Sequence, residues 1–412
     1  MRNWCGRVEF GASQVLQPAS LAELQASVAG ATRIRALGTG HSFNDLADTN
    51  GVHVSVAGLP TDLELDSSLG IARVGAGIRM GELARLLAPK GWALRNLASL
   101  GHISLAGAVA TGTHGSGDTN PTISASVRWI QLVTAQGEVL EVDQTDARFP
   151  GLAVSLGSLG IVSRLGVAVE PAFDMRQYVF DQVKHETLRQ HFDEIFSSAY
   201  SVSFFTTWDA RLSGQVWMKR REGHDEGWTA QEWMGGSLCH SKQHPLPGHD
   251  PVHCTEQQGE LGASFERLPH FKLDFTPSSG DELQTEYLIP RDQSAAVLAE
   301  LENMAPRISP MLHVSEVRTM AADDLWLSGA YGRDTAAIHF TWHKDERALD
   351  LLPELDELFA AHGGRAHWGK LHATPPSAYE QRYPHLGDFR ALRQELDPAA
   401  SFANEHLAWL AG

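Results

Sequence analysis

Cysteine is scarce in this chain: Cys5, Cys239 and Cys254 are the only three in 412 residues. Three thiols build no disulfide framework and leave at least one free, which fits a reducing compartment. Long apolar runs are missing as well. No stretch reaches the ~18 apolar residues of a spanning helix, and none follows the N-terminal Met-Arg-Asn-Trp as a secretory leader would. A cytoplasmic protein with no membrane partner is therefore expected. Positive charge is also short, with 33 Lys and Arg against 50 Asp and Glu and a net charge of −17. Without a Lys/Arg-rich run, nucleic acid is a poor partner.

Several common motifs are absent too. Gly38 and Gly40 are followed by Phe43, and Gly75 and Gly77 by Met80, where a dinucleotide fingerprint needs a third glycine. No Gly-x-x-x-x-Gly-Lys-Ser/Thr loop occurs, His185-Glu186 meets Arg189 where a zinc protease has its second His, and no Gly-x-Ser-x-Gly elbow is found. Nicotinamide, nucleotide-triphosphate and hydrolase chemistries lose their usual anchors.

What is present begins with Arg-Ala-Leu-Gly-Thr-Gly-His-Ser-Phe-Asn, residues 35–44. Gly38 and Gly40 let a phosphate-bearing ligand approach their N–H groups. His41 between them and Ser42 is either a packed side chain or a nucleophile aimed at that ligand. A second small-residue region, 96–117, lets backbone approach a large flat ligand, and equally reads as a tightly packed helix and turn. Residues 156–162 are again small and apolar.

Around these stretches the elements alternate in short units. Ser20 and Glu23 form a capping box ahead of a helix with Leu21, Leu24 and Val28 as its stripe. Strands are predicted at 34–37, 52–56, 71–75 and 165–169, a helix at 80–89, and a hairpin of 127–133 with 139–142 through Gln136-Gly137. At 412 residues the chain exceeds the roughly 250–300 of a single core, so two domains are expected. Composition changes after Pro171, with more Trp, Phe, His and charge, and a boundary is placed there. Helical segments follow at 193–197 and 294–304, with strand-like apolar content over 204–216. Between Cys239 and Cys254 lie His240, His244, His249 and His253; their spacings match no zinc pattern, and the segment reads as a flexible loop over a site, with no metal.

The period of two places Glu316 and Arg318 on one face of a strand with Val314, and His339, Thr341 and His343 on one face of another, with Ile338, Phe340 and Trp342 behind. A one-sided solvated sheet explains this. So does a floor of acid, base and hydroxyl groups for a polyhydroxylated substrate. His367, Lys370 and His372 then cluster around Gly369, where a lysine sets a positive charge beside a developing anion or shifts its own pKa on desolvation.

Taken together, Gly38-Thr-Gly-His-Ser-Phe43, Ala108 to Gly117, Gly157-Ser-Leu-Gly-Ile161, Glu316-Val-Arg318, His367-Trp-Gly-Lys370 and the closing Asp397-Pro with Phe402 and Asn404 resemble the vanillyl-alcohol oxidase type of flavoprotein. Within it the chain is most similar to the sugar and polyol oxidases, the branch that holds the alditol (xylitol) oxidases. The resemblance implies an α+β fold. A PCMH-type FAD-binding domain of two α/β subdomains, residues 1–170 with the returning segment 373–412, would carry an α+β cap on an antiparallel sheet, residues 171–372.

The resemblance also implies the site. FAD would be held by Leu37, Gly38, Thr39, Gly40, His41, Ser42, Phe43, Ser104, Gly107, Thr111, Gly112, Thr113, His114, Ile161 and His367, and bound covalently through His41. No cysteine occurs near residues 100–104, so one covalent bond is expected. Ser99, Glu316, Arg318 and Thr341 would bind substrate, and Lys370, Arg318, Glu316 and His339 would serve catalysis. Gly369 stands where the lactone oxidases commonly carry Ala, and with Leu97-Ala98-Ser99 this leans toward polyols; Ala98 also bears on oxygen access. Ala399-Ala400 departs from a glycine common in relatives. The expectation is a monomer that oxidises a terminal alcohol of a xylitol- or sorbitol-type polyol, with O2 reduced to hydrogen peroxide. An aldonolactone oxidase or dehydrogenase, and a flavin-free binding protein, are the rivals.

Overall fold

The computed structural model describes residues 1–223, 230–275 and 280–411. The first helix forms where its cap predicts, Leu21–Ala29, with Ser20 Oγ accepting from Glu23 N and the Glu23 carboxylate accepting from Ala19 N. Its buried Leu24 and Val28 pack on a three-stranded parallel sheet ordered Gln14–Leu16, Val52–Val54, Ile34–Ala36. A second, antiparallel sheet runs Glu64–Asp66, Ile71–Gly75, Ile161–Ala168, Val127–Val133, Val139–Asp143. Its hairpin turns at Gly137, whose φ of 79° a side chain would strain. The strand expected from residue 165 begins earlier, at Ile161, because its pairing with Val127–Val133 extends to Val133.

Beyond Pro171 the chain builds a ten-stranded antiparallel sheet. At its centre Ser213–Arg221, Ser201–Thr206, Leu312–Met320, Thr335–His343 and Glu282–Pro290 lie side by side. The apolar content expected over 204–216 divides between two of these strands, joined by a turn in which Trp208 and Leu212 take positive φ. One face of the sheet buries Val317, Ile338, Phe340 and Trp342 under the helix Ser294–Ile308 and the helix Leu352–Ala361. The other face is not solvated: Glu316, Arg318 and His339 are all buried.

The end of the chain returns to the first core. Leu386, Phe389 and Leu392 of the helix Leu386–Leu396 share a cluster with Leu83, Ile130 and Leu165. The Asp397 carboxylate accepts from Ser401 N at 2.7 Å and Phe402 N at 2.9 Å, closing the turn that follows. Buried Arg35 donates to the carbonyls of Phe402, Leu46 and Leu156, tying that turn to the glycine-rich stretch.

Candidate active site

A cavity of about 910 Å³ is bounded by the glycine-rich turns and by the buried polar face of the large sheet. That volume lies toward the upper end of the ~300–1,000 Å³ typical of ligand clefts. From the first part it takes Leu37, Gly38, Thr39, Gly40, His41, Ser42 and Phe43, then Ser99, Ser104, Gly107, Thr111, Thr113 and His114. From the second it takes Glu316, Arg318, His339, Thr341, His367 and Lys370. Gly112 and Ile161 stand outside the lining. The Ile161 side chain packs in the apolar cluster with Val54 and Val133, while its neighbours Gly160 and Val162 reach the cavity. His372 belongs with His406 and Asp45 around a separate, smaller cavity.

The cradle is held open by small residues. A Cβ added to Gly38 would meet Ser104 Oγ at 2.7 Å, and one on Gly107 would meet the same atom at 2.9 Å. Gly40 takes a φ of 69°. His102, which lines the same wall, keeps a buried Nδ1 with no hydrogen-bond partner among the described residues. Close backbone approach and a free polar atom suit a large, flat, hydrogen-bonding ligand. His41 stacks on Trp4 with ring centroids 4.4 Å apart, its Nδ1 is 3.1 Å from Thr39 O, and its Nε2 is 2.5 Å from His102 Nε2. Burial first, and then the His102 ring, push His41 down to about 4. At neutral pH it is an uncharged imidazole, the form that can attack an electrophile.

Hydrogen bonds to backbone carbonyls bring the distant pieces into register. Phe43 N donates to Gly369 O at 2.8 Å, and Asn44 Nδ2 donates to the carbonyls of Trp368 and Lys370, both at 2.9 Å. These hold Lys370 Nζ 4.8 Å from the Phe43 ring centroid. Gly117 N donates to Thr319 O at 2.9 Å, fixing the second glycine-rich stretch to the strand of Glu316 and Arg318.

The polar floor alternates in sign. Arg318 Nη2 lies 2.5 Å from Glu286 Oε1, and its Nε lies 3.5 Å from Glu316 Oε2. Glu286 thus holds Arg318 more closely than Glu316 does. Burial pushes Glu316 up, but Arg318 and His270 outweigh it, and the carboxyl is held well below its usual range. Lys370 donates to Gln284 Oε1, which His339 Nε2 also approaches at 3.1 Å. Burial brings Lys370 down to about 8, with Glu286 opposing. Burial, then Lys370, bring His339 down to about 3. One lysine that exchanges a proton near neutrality therefore stands beside a permanent guanidinium charge. That pair suits abstraction of a hydroxyl proton with stabilisation of the anion left behind.

Glu286 and Gln284 were missed in the sequence. Their signal was there: over Glu282–Pro290, Glu282, Gln284 and Glu286 alternate with Leu283, Thr285 and Tyr287. His114, Glu286 and His367 bring ligand atoms within 4.8 Å of one another, the spacing of a metal site. Glu286 is already paired with Arg318, and a divalent cation there would sit against that guanidinium. The histidine-bearing segment after Cys239 lies over the cavity, contributing His244, Pro245, Leu246 and His249, and the three cysteines are free.

Comparison with known proteins agrees with this geometry. Residues 12–143 match the family profile "FAD binding domain", and residues 281–410 match "D-arabinono-1,4-lactone oxidase". The alditol oxidase of a Streptomyces species is 43% identical over 409 residues, covering 98% of this chain and 97% of that one. The L-gulono-1,4-lactone dehydrogenase of Mycobacterium tuberculosis is 31% identical over 417 residues, with the same coverage. Among solved structures, a cholesterol oxidase from Brevibacterium sterolicum superposes with a TM-score of 0.81 at 13% identity, covering 100% of this chain and 96% of that one.

Proposed function

Since the chain belongs to the family of FAD-binding oxidoreductases that includes the Streptomyces alditol oxidase, with the PCMH-type fold, we propose that it is itself an alditol oxidase. It converts the terminal primary alcohol of a xylitol- or sorbitol-type polyol to the aldose, with O2 as acceptor. The observation that carries this reading is the row of buried Glu316, Arg318 and His339 and half-buried Thr341 and Lys370 in the same cavity as the glycine cradle. The higher identity to the alditol oxidase than to the lactone dehydrogenase supports the open-chain substrate.

FAD would be held by residues 37–43, by Ser104, Gly107, Thr111, Thr113 and His114, and by His367; the chemistry it supplies when bound is two-electron acceptance, hydride from the alcohol carbon and return of the electrons to O2 as hydrogen peroxide. The protein positions and polarises the alcohol. Lys370, as the free amine, takes the hydroxyl proton. Arg318, permanently charged, stabilises the alkoxide. Glu316 accepts hydrogen bonds from the polyol, and Ser99, Thr341 and His339 hold its remaining hydroxyls. His41 is the covalent attachment point, supported by its neutral imidazole in the glycine turn. The FAD part comprises residues 1–170 and 373–412 and the cap residues 171–372, supported by an apolar cluster drawn from the cap alone, although the cluster of the FAD part also takes in cap residues such as Leu325, Leu327 and Trp368.

No helix among the described residues is long and apolar enough to cross a membrane. The free thiols support a cytoplasmic location. Exposed large apolar side chains such as Leu69, Leu86, Val139 and Leu212 sit on separate elements, which supports a monomer.

Mixing the purified protein with xylitol without oxygen tests the reading: the flavin absorbance should bleach, then return with release of peroxide when air is admitted. A yellow protein that does not bleach moves the assignment to lactones, the reading favoured by the profile match over residues 281–410, and a lactone panel identifies it. After denaturation the colour should stay with the polypeptide, and His41→Ala should release it; colour retained in that variant removes His41 from the linkage.

A further inference from the structure

Beside Glu316 on the cavity wall stands His270, with Lys219 behind it, two buried groups that the mechanism above does not use. Lys219 lies on the strand Ser213–Arg221, where alternation puts Val216 and Met218 in the apolar core and turns Trp217 and Lys219 to the other face. Only 1% of Lys219 is exposed. Its Nζ donates to the Leu268 carbonyl and lies 3.3 Å from His270 Nδ1. His270 Nε2 lies 2.9 Å from Glu316 Oε1. The ring is clamped edge-on by Phe205 and Trp217, at centroid distances of 5.0 and 5.5 Å and interplanar angles of 80° and 90°.

The donor inventory fixes the direction of this chain. The ionised Glu316 carboxylate can only accept, so the neutral imidazole carries its proton on Nε2, and Nδ1 is left to accept from Lys219 Nζ. Burial pushes Lys219 down to about 7, yet as ammonium or amine it keeps an N–H for the ring. Burial likewise pushes His270 down to about 4, so the imidazole stays neutral.

The arrangement decides what Glu316 can do. Its Oε1 is engaged by His270, and its Oε2 is 3.5 Å from Arg318 Nε, beyond a good hydrogen bond. Without His270 the carboxylate is free to turn onto the guanidinium as a bidentate pair, and both oxygens would leave the substrate. We propose that Lys219 and His270 are positioning residues that hold Glu316 back from Arg318, so that one carboxylate oxygen stays available to a polyol hydroxyl. This rests on Glu316 as a polyol-binding group, as read above.

Anaerobic rapid mixing of the flavin-loaded enzyme with xylitol gives the dissociation constant and the reduction rate separately, and the test is a mutant cycle. His270→Phe should lower the ratio of rate to dissociation constant by about 10- to 100-fold, the loss that follows when a buried carboxylate loses its donor. His270→Gln keeps a side-chain N–H and should recover to within about fivefold of the native enzyme. In a Glu316→Gln background, His270→Phe should cost less than about threefold, because the two act as one unit. Equal losses for Phe and Gln, or losses that multiply in the double variant, overturn the proposal. If Glu316→Gln itself changes nothing, the polyol assignment of that face fails and the proposal with it, an outcome distinct from failed coupling. Should His270→Phe not load flavin, Lys219→Gln enters the same cycle one bond further from the cavity: a loss that vanishes in the Glu316→Gln background supports the proposal, and one that multiplies there overturns it.

Discussion

The wall of the cavity that carries His41 is rich in glycine, alanine, serine and threonine, whereas the wall that carries Lys370 is rich in charges of alternating sign. In the first, specificity lies in the absence of side chains: Gly38 and Gly107 leave no room for a Cβ beside Ser104. In the second it lies in side chains that strand alternation aims at one place, each held by a neighbour of opposite charge or by a carbonyl. A ligand common to many enzymes is met by backbone, and a substrate particular to one is met by side chains. If this division holds, damage to the charged wall should spare flavin binding.

Lys370→Met is the hardest blow to the charged wall alone. Removing the group that takes the proton should slow flavin reduction by xylitol about 10²- to 10⁴-fold. Flavin content should remain native, because the lysine side chain touches the cradle at the Phe43 ring and its backbone link to Asn44 is kept. A variant reduced at the native rate removes Lys370 from the mechanism. Glu286→Ala tests the support beneath. Among the described residues it leaves the buried Arg318 guanidinium with Glu316 at 3.5 Å as its carboxylate partner, so denaturant unfolding should show a loss of about 3–5 kcal/mol. A stability unchanged to within about 1 kcal/mol would mean that Glu316 alone suffices.

The two walls should also differ in their response to pH. His41 at about 4 and His339 at about 3 do not titrate between pH 6 and 9, and Glu316 is held below the carboxylate range. Lys370, at about 8, does. Since the free amine is the active form, kcat/KM should rise about tenfold per pH unit below that value and level off above it. The limb should flatten in Lys370→Met. A profile that falls through pH 8 would mean that the ammonium is the working form.

The first wall was legible in the sequence and the second only in part, for a physical reason. Backbone constraints write glycine into the chain, so 35–44, 96–117 and 156–162 stood out on composition alone, and Gly117 and Asn44 then carried the links to Thr319 and to residues 368–370. Glu316, Arg318, His339 and Thr341 were placed on a common face by the period of two, but that face read equally well as solvated. On that face Glu316 meets His270, some fifty residues away along the chain, and Arg318 meets Glu286, some thirty away. Lys219 in Met-Lys-Arg-Arg drew no reading from the sequence, and the fold buries it. No local pattern announces a partner that arrives from another part of the fold.

Thr341 offers the smallest and sharpest test. It lies on the substrate face of Thr335–His343, paired across the sheet with Gln284, and is only partly buried. Thr341→Val keeps the branched shape and the strand preference and removes one hydroxyl. If the polyol is held by several such groups, losing one should raise KM about three- to tenfold, the net worth of a single hydrogen bond. The reduction rate at saturating polyol and the flavin content should stay native, since the hydroxyl is assigned neither the proton nor the cofactor. A fall in that rate with KM unchanged would instead give Thr341 a part in the transition state, and the line between holding and reacting groups on the charged wall would have to be redrawn to include it.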